Sequence, residues 1–143
     1  MSILYDLLDV SIYSLIGIIL MITGNFLIDL LIPCHFPTEI KKGNQAVGFL
    51  CAGSFIAIGT ILKAAIMSPV ISEVKESISE GILGSIIYFF IGVIFLGIGY
   101  YLVSLFNRKY NLNDEIGNGN TAAGIMIAGI FIGIATIISG VIM

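Results

Sequence analysis

The stretch from Glu39 to Lys63 returns between Glu115 and Ser139 at a constant offset of 76 residues, which restricts the chain to architectures made of two similar halves. Written out, EIKKGNQAVGFLCAGSFIAIGTILK lies over EIGNGNTAAGIMIAGIFIGIATIIS. Glu39/Glu115, Ile40/Ile116, Gly43/Gly119 and Asn44/Asn120 match, as do Gly48/Gly124, Ala52/Ala128, Gly53/Gly129, Phe55/Phe131 and Thr60/Thr136. Chance similarity between two apolar segments would match Ile and Leu, whereas these letters are mostly Glu, Gly, Asn and Thr. Upstream, Tyr13/Tyr88, Gly17/Gly92 and Gly24/Gly99 correspond at an offset of 75.

With 58% hydrophobic and 10% charged residues and a mean hydropathy of +1.11, the chain lies far outside the range of soluble domains. A membrane-spanning helix needs about 20 mostly apolar residues. Four stretches supply them, roughly Val10–Ile32, Gln45–Met67, Gly81–Phe106 and Gly119–Ile142. The expected fold is therefore all-α and integral to the membrane, with four transmembrane helices formed by two parallel two-helix repeats in a single domain, 1–143. Repeat one covers about 10–67 and repeat two about 81–143. The connections near Pro33–Asn44, Ser68–Glu80 and Asn107–Asn118 are too short to fold independently. Asp6 and Asp9 precede the first apolar run without Lys or Arg, so the N-terminus does not read as a signal peptide and the first helix is expected to be retained.

Orientation follows from the cations. Lys41, Lys42, Arg108 and Lys109 fall in the first and third connections, against Lys63 and Lys75 toward the other face, which places those connections in the cytoplasm and both termini outside. Because each repeat holds two spans, both repeats enter the membrane from the same side, about a pseudo-twofold axis along the membrane normal. The net charge of −3, without a basic cluster, gives no reason to expect nucleic acid as a partner. Cys34 and Cys51 form no disulfide framework, and with His35 as the single histidine no metal set or cofactor site is expected. No nucleotide loop or nucleophile–base pair appears, so an enzyme is not expected.

Association of helices in lipid depends on small residues that let backbones approach. Gly48, Ala52 and Gly53 on the second helix, and Gly124, Ala128, Gly129 and Gly133 on the fourth, are the expected packing positions. They would join these helices to each other or to neighbouring copies. The polar candidates are Asn25, Asp29, Glu39, Asn44, Glu115 and Asn120, all toward the expected cytoplasmic face. Asn44 and Asn120 each follow a glycine and precede an apolar helix, the arrangement of an N-cap. An aspartate one turn inside a span costs about 1 to 3 kcal/mol without a partner, which makes Asp29 a functional candidate.

The E-I-x-x-G-N-x-A-x-G pattern leading twice into a glycine-rich helix, as Gly43-Asn44-Gln45-Ala46 and Gly119-Asn120-Thr121-Ala122, resembles the domain-of-unknown-function 350 family of small four-span prokaryotic membrane proteins. The resemblance covers the whole chain and implies the fold, a multi-pass location in the prokaryotic inner membrane, and an association with membrane-stress operons, but no assigned activity. The expected function is a homo-oligomeric, non-enzymatic assembly that gives ions or small solutes a channel-like path past the polar cluster. The alternative is a scaffold or stress-sensing module that recruits a partner without transport.

Overall fold

A computed structural model describes residues 3–71 and 77–143. Every regular element among them is helical: α1 (Ile3–Leu31), α2 (Phe36–Lys41), α3 (Gln45–Ile71), α4 (Ile78–Phe106), α5 (Leu112–Gly117) and α6 (Thr121–Ile142). Four are long and apolar enough to cross a membrane, namely α1, α3 over Gln45–Ser68, α4 and α6. The first helix starts earlier than its apolar run suggests and takes in Asp6 and Asp9. Helix α4 likewise begins at Ile78 instead of Gly81, because Ser77 and Glu80 close a capping box. In it the Ser77 N–H donates to Glu80 Oε2 at 2.8 Å and the Glu80 N–H donates to Ser77 Oγ at 3.4 Å.

The first and third connections, read from the sequence as too short to fold independently, each contain one short helix, α2 and α5. Pro37 in the first turn of α2 lacks the N–H that would be orphaned there anyway. In α5 the Asn111 side chain caps the start by accepting from the N–H groups of Asn113 and Asp114.

Helix α3 is the most buried of the four spans and packs on α1, α4 and α6. It runs parallel to α6: Asn44 reaches the backbone of Ile116 and Gly117 at one end, and Ser68 Oγ donates to the Ile142 carbonyl at 3.0 Å near the other. The seam is close enough to exclude a methyl group. A Cβ on Gly53 would stand 2.4 Å from Ala128 Cα, and one on Gly124 would stand 2.3 Å from the Ala46 carbonyl oxygen. Such backbone proximity multiplies weak dispersion contacts in a solvent that offers little hydrophobic drive of its own.

Two other junctions resemble each other residue for residue. A Cβ at Gly24 of α1 would stand 2.4 Å from Ile58 Cδ1 of α3, and one at Gly99 of α4 would stand 2.2 Å from Ile134 Cδ1 of α6. The α3–α6 seam itself is not twofold. A twofold that pairs Gly53 with Ala128 would pair Gly129 with Ala52, yet both of those are exposed and a Cβ on Gly129 would meet nothing within 4 Å. Outward-facing Leu, Ile and Phe side chains on α1 and α4, such as Leu15, Ile22, Phe90 and Ile94, are exposed as a bilayer-facing surface requires.

Candidate functional site

The repeated Glu-Ile-x-x-Gly-Asn letters build one device twice. In the first, Gly43 takes a left-handed φ of 81°, the Gly43 N–H donates to the Ile40 carbonyl and the Asn44 N–H donates to the Glu39 carbonyl, both at 3.0 Å. That pair of bonds is a Schellman ending for α2, and the positive φ is why glycine stands there. Asn44 then caps α3, its Oδ1 accepting from the Val47 N–H at 3.1 Å. In the second, Gly119 has a φ of 83°, its N–H donates to the Ile116 carbonyl at 3.1 Å, and the Asn120 N–H donates to the Glu115 carbonyl at 2.9 Å. Asn120 Oδ1 accepts from Ala122 and Ala123 at 3.1 and 3.4 Å. A short helix is thus stopped and a spanning helix started with three residues between them.

The carboxylates complete the device. Asn44 Nδ2 donates to Glu39 Oε2 at 3.0 Å, and Asn120 Nδ2 donates to Glu115 Oε2 at 2.5 Å. Lys42 Nζ also donates to Glu39 Oε1 at 2.8 Å. This ion pair, and then the Asn44 amide, hold the Glu39 carboxyl below its ordinary value. Of the two asparagines, Asn44 reaches across the halves, its amide also donating to the carbonyls of Ile116 at 2.9 Å and Gly117 at 3.3 Å.

Asp29 is partnered as well. Its Oδ1 accepts from the Phe36 N–H at 2.7 Å, fixing the first turn of α2 against the end of α1. Asn25 Oδ1 accepts from Ser54 Oγ at 2.7 Å, and Ser54 is fully buried on α3. Cys34, half-buried beside α2, has its thiol pushed up to about 11, by burial first and then by the negative charges of Glu39 and Asp29.

The six polar candidates are not gathered at one point. Glu39 and Asn44 line a polar cleft of about 370 Å³ with Lys42, Gln45 and Gly117 to Gly119. Glu115 and Asn120 face a second recess of about 310 Å³ beside Tyr110 and Met126. Asn25 and Asp29 line a third, mostly apolar groove of about 460 Å³ with Phe26, Phe36, Cys51 and Phe55. Among the described residues the buried polar side chains are Ser54 and Ser85, and each has a hydrogen-bond partner. Of the expected packing residues, Gly53, Gly124 and Ala128 form the α3–α6 seam, whereas Ala52, Gly129 and Gly133 are exposed and Gly48 is half-buried with open space at its Cβ position.

Ser54, Tyr100 and Thr121 were not among the candidates drawn from the sequence, yet Ser54 Oγ donates to Asn25 Oδ1, Tyr100 Oη to Asn113 Oδ1, and Thr121 Oγ1 to Gln45 Oε1 at 3.3 Å. The signal for the first two was present where the halves differ, since Ser54 corresponds to Ile130 and Asn25 to Tyr100.

The comparisons agree with this architecture. The chain is 25% identical over 138 residues to a UPF0719 transmembrane protein of Aquifex aeolicus (strain VF5), an alignment covering 96% of this chain and 48% of the relative, so the chain spans about half that relative's length. No solved structure matches. The family model described as Domain of Unknown Function (DUF350) matches residues 2–142, and a four-span helical chain matched from end to end in this way belongs to that family.

Proposed function

We propose that this protein is a non-enzymatic membrane scaffold of the prokaryotic inner membrane, built from a duplicated unit of one spanning helix, a Schellman-ended short helix and an asparagine-capped spanning helix. Its repeated polar groups hold helix ends in place and do not line a conduction path through the chain. The observation that carries this reading is that each of Asn25, Asp29, Glu39, Asn44, Glu115 and Asn120 has a local protein partner for its side chain. Between the helices, Ile58, Ile61, Phe89, Leu96, Ile127 and Phe131 fill the centre with apolar side chains. The matched junctions Gly24–Ile58 and Gly99–Ile134 support the duplication. The cation distribution supports placing α2 and α5 on the cytoplasmic side, with both termini outside.

One observation favours a second reading, in which ions pass between copies: the groove holding Asn25 and Asp29 opens onto the outer surface of the chain. Flux of ions through purified protein in sealed liposomes under an imposed potential separates the two. The scaffold predicts no flux above protein-free liposomes from protein shown to be folded by circular dichroism. Flux that Asp29→Asn alters overturns it in favour of a path.

A further inference from the structure

The two halves present different faces to each other, and each half retains the face that the other has used. Helix α3 meets α6 through the stripe containing Ala46 and Gly53, and α6 meets α3 through the stripe containing Gly124 and Ala128. At the offset of 76 residues, Gly53 corresponds to Gly129, and Gly124 and Ala128 correspond to Gly48 and Ala52. The corresponding positions are the open ones: Ala52 and Gly129 are exposed, and a Cβ at Gly48 or Gly129 would meet nothing within 4 Å. The chain thus carries, still uncovered, both halves of a seam it has already formed once.

Three further positions repeat the pattern away from the small-residue stripes. Ile61 of α3 is 1% exposed and fills a notch at Gly92 of α4, where a Cβ would stand 2.5 Å from its Cδ1. The counterparts are Ile137, 70% exposed, and Gly17, whose Cβ position is empty. Ile116 is 0% exposed, with its carbonyl accepting from Asn44, whereas its counterpart Ile40 is 47% exposed. Asn120, the counterpart of Asn44, makes no bond across halves and is exposed. A large apolar side chain, an open glycine position and an amide with no bond across halves all stand where a repetition of the internal seam would use them.

We infer that copies of this chain join head to tail in the membrane plane, the open α6 face of one copy seating on the open α3 face of the next, with Ile137 entering the notch at Gly17. The occupant is a second copy because the complementary surface is already within this chain, in the same orientation relative to the bilayer. Such an interface is heterologous, so successive copies form a ring if the rotation closes and a row if it does not. The inference rests on the duplication in the proposed scaffold and extends it by naming the surface on which copies meet.

The test uses the full chain in cell membranes, with Cys34→Ser and Cys51→Ala as background, carrying Gly17→Cys, Ile137→Cys or both. A lipid-soluble copper oxidant is added and products are separated in SDS without reductant. The double variant is expected to give dimers, extending to larger species where more than two copies join, the two single variants mixed in one membrane dimers only, and each single variant alone monomers. Dimers from either single variant would mean a face meeting its own copy and would overturn the head-to-tail geometry, as would monomers from the double variant.

Subunit counting by photobleaching in lipid gives a second, independent reading. Gly17→Leu, at a position where a Cβ would meet nothing within 4 Å, is expected to convert assemblies to single copies with unchanged thermal unfolding. Wild-type protein found as single copies, or Gly17→Leu protein that stays assembled, overturns the inference. Liposome flux judges the scaffold reading separately: a failed cross-link in non-conducting protein removes the interface alone, and flux removes the non-conducting role alone.

Discussion

Adding one methyl group to the α3–α6 seam should destabilise the protein far more than adding it elsewhere on a spanning helix. At Gly53 the new carbon would stand 2.4 Å from Ala128 Cα, and at Gly124 it would stand 2.3 Å from a carbonyl oxygen and 2.6 Å from a Cα of Ala46. Ordinary contact begins at 3.4 Å, so the helices must separate by about 1 Å locally, a gap at which neighbouring atom pairs lose a quarter to a half of their attraction. Overpacking of this kind costs about 1 to 3 kcal/mol. Alanine's better helix propensity returns up to about 1 kcal/mol, leaving a net loss of up to about 2 kcal/mol for Gly53→Ala or Gly124→Ala once that return is taken in full. The matched control is Gly84→Ala on α4, where a Cβ meets nothing within 4 Å and the propensity gain of up to about 1 kcal/mol stands alone. Unfolding of detergent-dispersed protein by SDS titration, followed by circular dichroism, reads the difference. The double variant Gly53→Ala/Gly124→Ala should lose less than the sum of its parts, because a seam opened at one point already makes room at the other. Equal midpoints for Gly53→Ala, Gly124→Ala and Gly84→Ala would refute the claim that backbone proximity holds these helices together.

Asn44→Leu should cost about 2 to 3 kcal/mol in the same titration, since it removes a cap and also leaves the Ile116 and Gly117 carbonyls without their amide, while Asn120→Leu should cost about 1 kcal/mol. Asn44→Asp should keep the cap and still destabilise, because a second carboxylate replaces the amide that faces Glu39. Glu39 has a folded-state pKa below its ordinary 4.5, so its stabilising effect is present above pH 4.5 and is lost as pH falls through the depressed value. Thermal unfolding compared at neutral and strongly acidic pH should show that loss in wild type and a smaller one in Glu39→Gln. Cys34, with a thiol raised from 9.0 to about 11, should react with iodoacetamide at pH 8 roughly 100-fold more slowly than an unperturbed thiol, as its thiolate fraction dictates. Mass spectrometry of the labelled protein at timed intervals checks this.

The four spans were legible because lipid demands about 20 apolar residues per crossing, and those stretches stand out in the chain. The caps at Asn44 and Asn120 were legible because a glycine followed by asparagine before an apolar run has a local meaning. The short helices α2 and α5 were not, since six residues carry too little periodicity to separate a helix from a loop. Nor could the small-residue stripes be sorted into used and unused. Gly53 and Gly129 are the same letter in the same local context, and which one meets a neighbour depends on where the other helices stand. For Asp29, the sequence identified a carboxylate that must find a partner, but its partner is the Phe36 N–H across the turn, which only the bend of the chain brings to 2.7 Å.

The closest helix pair in the molecule joins segments that are made far apart in time. Helix α3 meets its mate only when α6 arrives, some 76 residues later in the chain, which at about 5 to 20 residues per second is a wait of roughly 4 to 15 s on the ribosome. During that interval the Ala46 and Gly53 stripe of α3 faces lipid or the insertion machinery, next to α1 and then α4. Any other protein with a small-residue face could dock there first. The cell therefore has a window of seconds in which association of this chain with itself, or with another newly inserted helix, competes with completion of its own fold.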